Sequence, residues 1–179
     1  YGVSLLNNGK YGHDIRDNII RLSLLRSPTA PDPQADQGKH TFSYSLFPHA
    51  AHWNEQTVGA AYALNDPWLV HERVATEPIA QETASLSPLA SLIRVEQPNI
   101  VIETIKRAED GHGIIVRLYE SQRCRGPVTL STGFPLKAAW HTNLLEQDEQ
   151  EFTASDRQVT FSVHPYEIVT LRLIPATCE

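Results

Sequence analysis

Between residues 92 and 174 the chain repeats one pattern: a short apolar, β-branched run, a cluster of turn residues, then another run. The clearest runs are residues 100–108, 114–120, 128–132, 137–142, 158–163 and 168–174. Runs of this kind, spaced about 8–12 residues apart, bury their apolar faces by pairing into a small antiparallel sandwich. The first two are joined by Glu109-Asp110-Gly111-His112-Gly113, a Gly-containing hairpin loop. His164-Pro165-Tyr166-Glu167 turns the chain between the last two. This half is predicted to be all-β.

The first half mixes strands, a long loop and one helix. Residues 1–6 are apolar and strand-like, and Asn7-Asn8-Gly9 after them is a hairpin signal, because both residue types tolerate positive φ. Residues 19–25 alternate, with Ile20, Leu22 and Leu24 on one face and Arg21 and Ser23 on the other. Residues 26–39 then carry Pro28, Pro31 and Pro33 with Asp32, Asp36 and Gly38. Three prolines remove backbone donors, so no ladder is expected there, and loops of this length often carry function. A second alternating strand sets Phe42, Tyr44 and Leu46 against Thr41, Ser43 and Ser45, and Pro48 is expected to stop it. Trp53, Thr57, Ala60, Ala61 and Leu64 recur at helical spacing, predicting a short helix over 54–64 with Asn54 as N-cap. Asn65-Asp66-Pro67 ends it. Residues 72–91 read as a linker, with a domain boundary expected near Ser85.

Composition narrows the function. The 179 residues suffice for one large domain or two small ones. A net charge of −6 without a basic stripe argues against a nucleic-acid partner. No stretch of about 18 apolar residues is present, so no membrane span is expected. Two cysteines, Cys124 and Cys178, read as reduced thiols and favour a cytoplasmic protein. The chain contains no methionine and opens on Tyr1 inside a strand-like run, as an internal portion of a longer protein would.

Four segments of the first half carry a resemblance. They are Tyr-Gly-Val-Ser-Leu-Leu-Asn-Asn-Gly-Lys-Tyr-Gly (1–12), Leu-Ser-Leu-Leu-Arg-Ser-Pro (22–28), Ala-Pro-Asp-Pro-Gln-Ala-Asp-Gln-Gly-Lys-His (30–40) and Phe-Ser-Tyr-Ser-Leu-Phe-Pro-His (42–49). In order and spacing they resemble the post-catalytic β region of family 38 α-mannosidases, nearest the cytosolic or vacuolar and bacterial branch. In the second half Leu-Tyr-Glu (118–120), Thr-Asn-Leu-Leu-Glu (142–146) and Phe-Ser-Val-His-Pro-Tyr-Glu (161–167) resemble the terminal β-sandwich of the same enzymes. One departure is Asn8, where the family often has Asp; both suit a tight turn.

The resemblance implies an all-β architecture with one short helix. Residues 1–84 would be the C-terminal strands of a large, galactose-mutarotase-like β-sandwich, and residues 85–179 a small terminal β-sandwich. It also implies a parent retaining α-mannosidase acting on α-mannoside oligosaccharides. That enzyme would have a zinc ion and two catalytic carboxyls in a separate catalytic domain. The motifs that would carry them are absent here, so catalytic residues, metal and cofactor are all expected to be lacking in this chain. Its partners would be the catalytic domain of the same polypeptide and further subunits of a homo-oligomer.

The 26–40 loop is the main candidate site. The resemblance implies that it reaches the sugar-binding cleft, where Arg26, Asp32, Asp36 and His40 would bind hydroxyls; Arg and carboxylate groups suit bidentate bonding to vicinal hydroxyls. Asp32 and Asp36 equally suit local bonds that hold the loop itself. Lys10 and Tyr11 on the 7–12 turn are the second candidate, Tyr11 as a stacking or hydrogen-bonding group. Asp32 and Asp36 as a catalytic dyad is disfavoured, since a retaining pair must be held about 5–5.5 Å apart. His49 and His52 read as an exposed loop pair, because zinc needs three or four ligands. Cys124, between Arg123 and Arg125, lacks the partners of a cysteine hydrolase. The alternative of another class is an autonomous carbohydrate-binding sandwich. Trp53, Trp68 and Trp140 are too scattered in sequence to make its aromatic platform.

Overall fold

Antiparallel pairing accounts for all regular structure among the described residues except one helix. The computed structural model describes residues 1–70 and 91–176. The chain divides into two units, Tyr1–Glu72 and Arg73–Glu179. The boundary expected near Ser85 lies outside the described residues.

The first unit contains β1 (Gly2–Asn7), β2 (His13–Arg16), β3 (Ile19–Leu22), β4 (Tyr44–His49) and α1 (Glu55–Asn65). β1 pairs with β4, Leu5 opposite Leu46, and β2 pairs with β3 in a separate hairpin. The Asn7-Asn8-Gly9 turn therefore does not close a hairpin between its neighbours. The hairpin turn is at Asp17-Asn18, with Asp17 at φ +54. Pro48 does not end β4 but lies within it opposite Val3, which a strand paired on one side tolerates because the missing N–H faces no ladder. Helix α1 forms as expected. Asn54 Oδ1 accepts from Gln56 N at 3.0 Å, and Asn54 N donates to Thr57 Oγ1 at 3.4 Å in a capping box. The helix packs against β1 and β4. Partners opposite each other share a face, so Leu6 and Phe47 belong to one face and Val3, Leu5, Tyr44 and Leu46 to the other. The Leu6 face is the more covered, whereas Val3, Tyr44 and Leu46 are exposed.

The second unit closes on itself. β5 (Ile93–Val95), β6 (Ile100–Arg107), β7 (Ile114–Glu120), β8 (Gly126–Thr132), β9 (Leu136–Thr142), β10 (Asp148–Phe152), β11 (Ala154–Ser155), β12 (Gln158–Val163) and β13 (Ile168–Pro175) form two sheets. Their orders are β10-β9-β13-β7-β6 and β11-β12-β8-β5. Alternation sends Val128, Leu130, Val159, Phe161 and Val163 from one sheet against Val116, Leu118, Val169, Leu171 and Leu173 from the other. Gly113, at the exit of the β6–β7 loop, sits at φ +91, and a Cβ there would fall 2.6 Å from the Leu173 carbonyl oxygen. Strand β10 was not evident from its polar residues. It is an edge strand in which Phe152 supplies the inward contact, stacking on Phe161 at 5.8 Å between ring centroids.

Candidate functional site

The 7–12 turn is built by its own side chains. Asn7 Oδ1 accepts from Gly9 N at 3.1 Å and Lys10 N at 2.6 Å. The turn then grips both ends of the proline-rich loop. Asn8 Oδ1 accepts from Ser43 N at 2.8 Å, and Asn8 N donates to Ser43 O at 3.2 Å. Ser23 N donates to Gly12 O at 2.8 Å. Lys10 Nζ lies 5.1 Å from the centroid of the Phe42 ring, a cation–π contact. Lys10 and Tyr11 are thus placed between the two ends of the loop that holds the other four candidates.

Within the loop, Asp36 is the organising residue. Its Oδ2 accepts from Ser27 N at 2.9 Å, and its carbonyl oxygen lies 2.8 Å from His40 Nε2. Both Ser27 and Asp36 have positive φ. Asp36 therefore joins the segment next to Arg26 to the segment ending in His40. Asp32 makes a local turn, its Oδ1 accepting from Gln34 N at 2.9 Å. Arg26, Asp32, Asp36, His40 and Tyr11 are exposed, and Lys10 is half-buried. The acids hold the loop, as their residue types allow.

His49 is not an exposed loop residue. It lies in β4, half-buried, 3.0 Å from Ser4 Oγ through Nε2 and beside the Phe47 ring. Among the described residues no three or more His, Cys, Asp or Glu side chains are gathered as a metal would require. Cys124 is an exposed thiol; Cys178 lies outside the described residues.

Two polar clusters in the second unit escaped sequence reasoning. Glu120, at the end of β7, is fully buried and accepts from Asn99 Nδ2 (3.0 Å), Gln122 N (2.7 Å) and Tyr166 N (2.9 Å). Burial pushes its carboxyl upward, but the N–H donors of Tyr166, Asn99, Cys124 and Gln122 outweigh it and hold the group at about 2. A carboxylate so held is a clamp between turns, not a proton donor at neutral pH. Arg172 is buried on the outer face of β13. It donates to Asp110 Oδ2 (2.8 Å), Asp148 Oδ1 (2.8 Å), and the carbonyls of His112 (2.8 Å) and Glu146 (2.5 Å). Arg172 holds the Asp110 carboxyl below its usual range. The available signal was a charge inside the apolar run Leu171-Arg172-Leu173, but its partners come from two other segments, 110–112 and 146–148.

Residues 99–171 match the model of the glycosyl hydrolases family 38 C-terminal beta sandwich domain, and residues 1–34 match that of the glycosyl hydrolases family 38 C-terminal domain. Alpha-mannosidase 2C1 of Mus musculus is 36% identical over 97% of this chain and 17% of its own length. The Homo sapiens protein of the same name is 33% identical over 97% of this chain and 16% of its own. The alpha-mannosidase of Saccharomyces cerevisiae is 29% identical over 96% of this chain and 17% of its own. The chain thus spans about a sixth of the length of the curated relatives it matches.

Proposed function

The chain belongs to the C-terminal β region of the family 38 glycosyl hydrolases, and we propose that it is the non-catalytic C-terminal part of a retaining α-mannosidase that removes terminal α-linked mannose from oligosaccharides. The observation that carries this is the open side of the first unit. Among its described residues only Leu6 and Thr57 are buried, while Leu5, Ile20, Leu22, Leu24, Tyr44 and Leu46 line an apolar recess of about 280 Å³. A two-stranded ladder and a hairpin do not bury enough apolar surface to stand alone. They are the rim of a larger sandwich whose remaining strands, on this reading, come from the preceding polypeptide and brace the catalytic domain.

The loop tied down by the 7–12 turn then forms one wall of the sugar cleft. Arg26 presents a planar fork to vicinal hydroxyls, Asp36 and His40 accept or donate beside it, and Lys10 and Tyr11 extend the surface. Asp32 shapes the loop and offers its second oxygen. The bond-breaking carboxyls and the zinc lie, on this reading, in the catalytic domain of the same polypeptide. The exposed thiol of Cys124 suits a cytoplasmic location.

The test is aryl α-mannoside hydrolysis by the full-length enzyme and by the 179-residue chain, each with and without a zinc chelator. Only the full-length enzyme should turn over substrate, and chelation should abolish that. Arg26→Ala in the full-length enzyme should lower kcat/KM about tenfold, roughly 1.4 kcal/mol, at unchanged Tm. Turnover by the 179-residue chain would remove the non-catalytic assignment. Unchanged kinetics in Arg26→Ala and Asp36→Ala would remove the cleft wall.

A further inference from the structure

Asn8-Gly9 is the one Asn-Gly pair in the sequence. It lies in the 7–12 turn, and both residues are exposed to water. Such a pair can modify itself. The Gly9 backbone nitrogen, on giving up its proton, attacks Asn8 Cγ. The Cγ–N bond of the side-chain amide breaks and ammonia leaves, closing a succinimide ring. Water then opens the ring at one of its two carbonyls, giving either aspartate or isoaspartate at position 8. Glycine favours the attack because no side chain shields its nitrogen and its φ is little restricted.

Crowding does not block the attack. Gly9 sits at φ +103, and a Cβ built there would meet nothing within 4 Å. What stands in the way is hydrogen bonding at both reacting groups. Gly9 N, the nucleophile, donates to Asn7 Oδ1 at 3.1 Å. Asn7 Oδ1 is held in place by a second donor, Lys10 N at 2.6 Å. Asn8 Oδ1, on the carbon to be attacked, accepts from Ser43 N at 2.8 Å, while Asn8 N donates to Ser43 O at 3.2 Å. The Asn8 side chain thus points across the turn to Ser43 and must leave it before Cγ can reach Gly9 N. Each bond that has to open lowers the population of the reactive form about fivefold, from the net worth of a single hydrogen bond.

We propose that Asn8-Gly9 is a deamidation site guarded by Asn7 and Ser43, and that its isoaspartyl product releases one end of the proline-rich loop. The two products act differently on the fold. Aspartate keeps an acceptor oxygen where Asn8 Oδ1 stood, so the bond from Ser43 N survives. Isoaspartate routes the main chain through Cβ and Cγ and hangs its carboxylate from Cα. The longer main chain cannot make both bonds to Ser43, and the loop end there comes free.

The test uses the full-length enzyme, aged in mildly alkaline buffer. Mass spectrometry follows the peptide that contains position 8, and enzymatic methylation measures isoaspartate. The folded enzyme should convert roughly 25-fold more slowly than the urea-unfolded chain, two bonds at about fivefold each. Asn7→Ala, which frees Gly9 N, should convert about fivefold faster than the folded wild type, whereas Asn7→Asp, which keeps the acceptor, should match it. Equal rates in these two variants would overturn the guard by Asn7. A folded wild type that converts as fast as the unfolded chain would overturn the guard altogether, and an unfolded chain that does not convert would remove the site; neither outcome needs a variant to fold. Trypsin should cut the isoaspartyl fraction after Lys39 faster than it cuts the unaged enzyme. Equal cutting would overturn the release of the loop.

Discussion

The two units use the same local language and reach different ends. Both are written in apolar alternation and paired antiparallel. In the second, every inward position meets one from the facing sheet, and Leu118, Leu130, Leu171 and Leu173 lose all contact with solvent. In the first, Leu5 and Leu46 pair across the ladder and, with Ile20, Leu22 and Leu24, only line an open recess in which Leu46 stays 65% exposed. Alternation thus specifies which face is to be covered, while the cover itself is a property of the tertiary fold.

Three substitutions would break or sharpen this contrast. Leu171→Ala empties a site in the closed core and should cost about 2–5 kcal/mol in urea unfolding of the 179-residue chain. A cost under about 1 kcal/mol would mean that the core is not close-packed. Glu120→Gln should cost about 1–3 kcal/mol, because the amide NH2 would be set against a backbone donor. The pH dependence follows with its sign: the Glu120 carboxyl is lowered from 4.5 to about 2 in the folded chain. Its contribution is complete above 4.5 and lost as pH falls toward 2. The Asp110 and Glu146 carboxyls, held down first by Arg172 and Lys106 respectively, act in the same direction. Circular dichroism between these limits should show the wild type losing stability faster with acid than Glu120→Gln; parallel curves would contradict the clamp. The smallest effect is expected for Leu46→Ala, 65% exposed in the first unit, within about 0.5 kcal/mol in the 179-residue chain. A larger loss there would show that the open face is covered after all.

What was legible in the sequence depended on how local the physics was. Helix α1 could be read because Asn54, Thr57 and the Asn65-Asp66-Pro67 stop all act within a few residues. The strands of the second unit could be read because β-branched runs repeat between turns. Polar β10 could not, since an edge strand needs only one inward contact, nor could the passage of β4 through Pro48. The candidate site divided in the same way. Its residue types stood out on the loop, but the tie between the 7–12 turn and the loop ends depends on bonds between Asn8 and Ser43 and from Ser23 N to Gly12 O. Arg172 and Glu120 were silent because each draws partners from segments far apart in the chain.

The double grip of the 7–12 turn on Ser23 and Ser43 bears on how this region can diversify. Because the ends of the proline-rich loop are fixed independently of what lies between them, extra residues there need not disturb β3 or β4. Closing a loop of twice the length costs only about 0.6 kcal/mol more. Natural variants of this region should therefore accumulate insertions and deletions between these two serines while the strands on either side keep their length. The loop would be free to change the polar surface it offers on an unchanged frame.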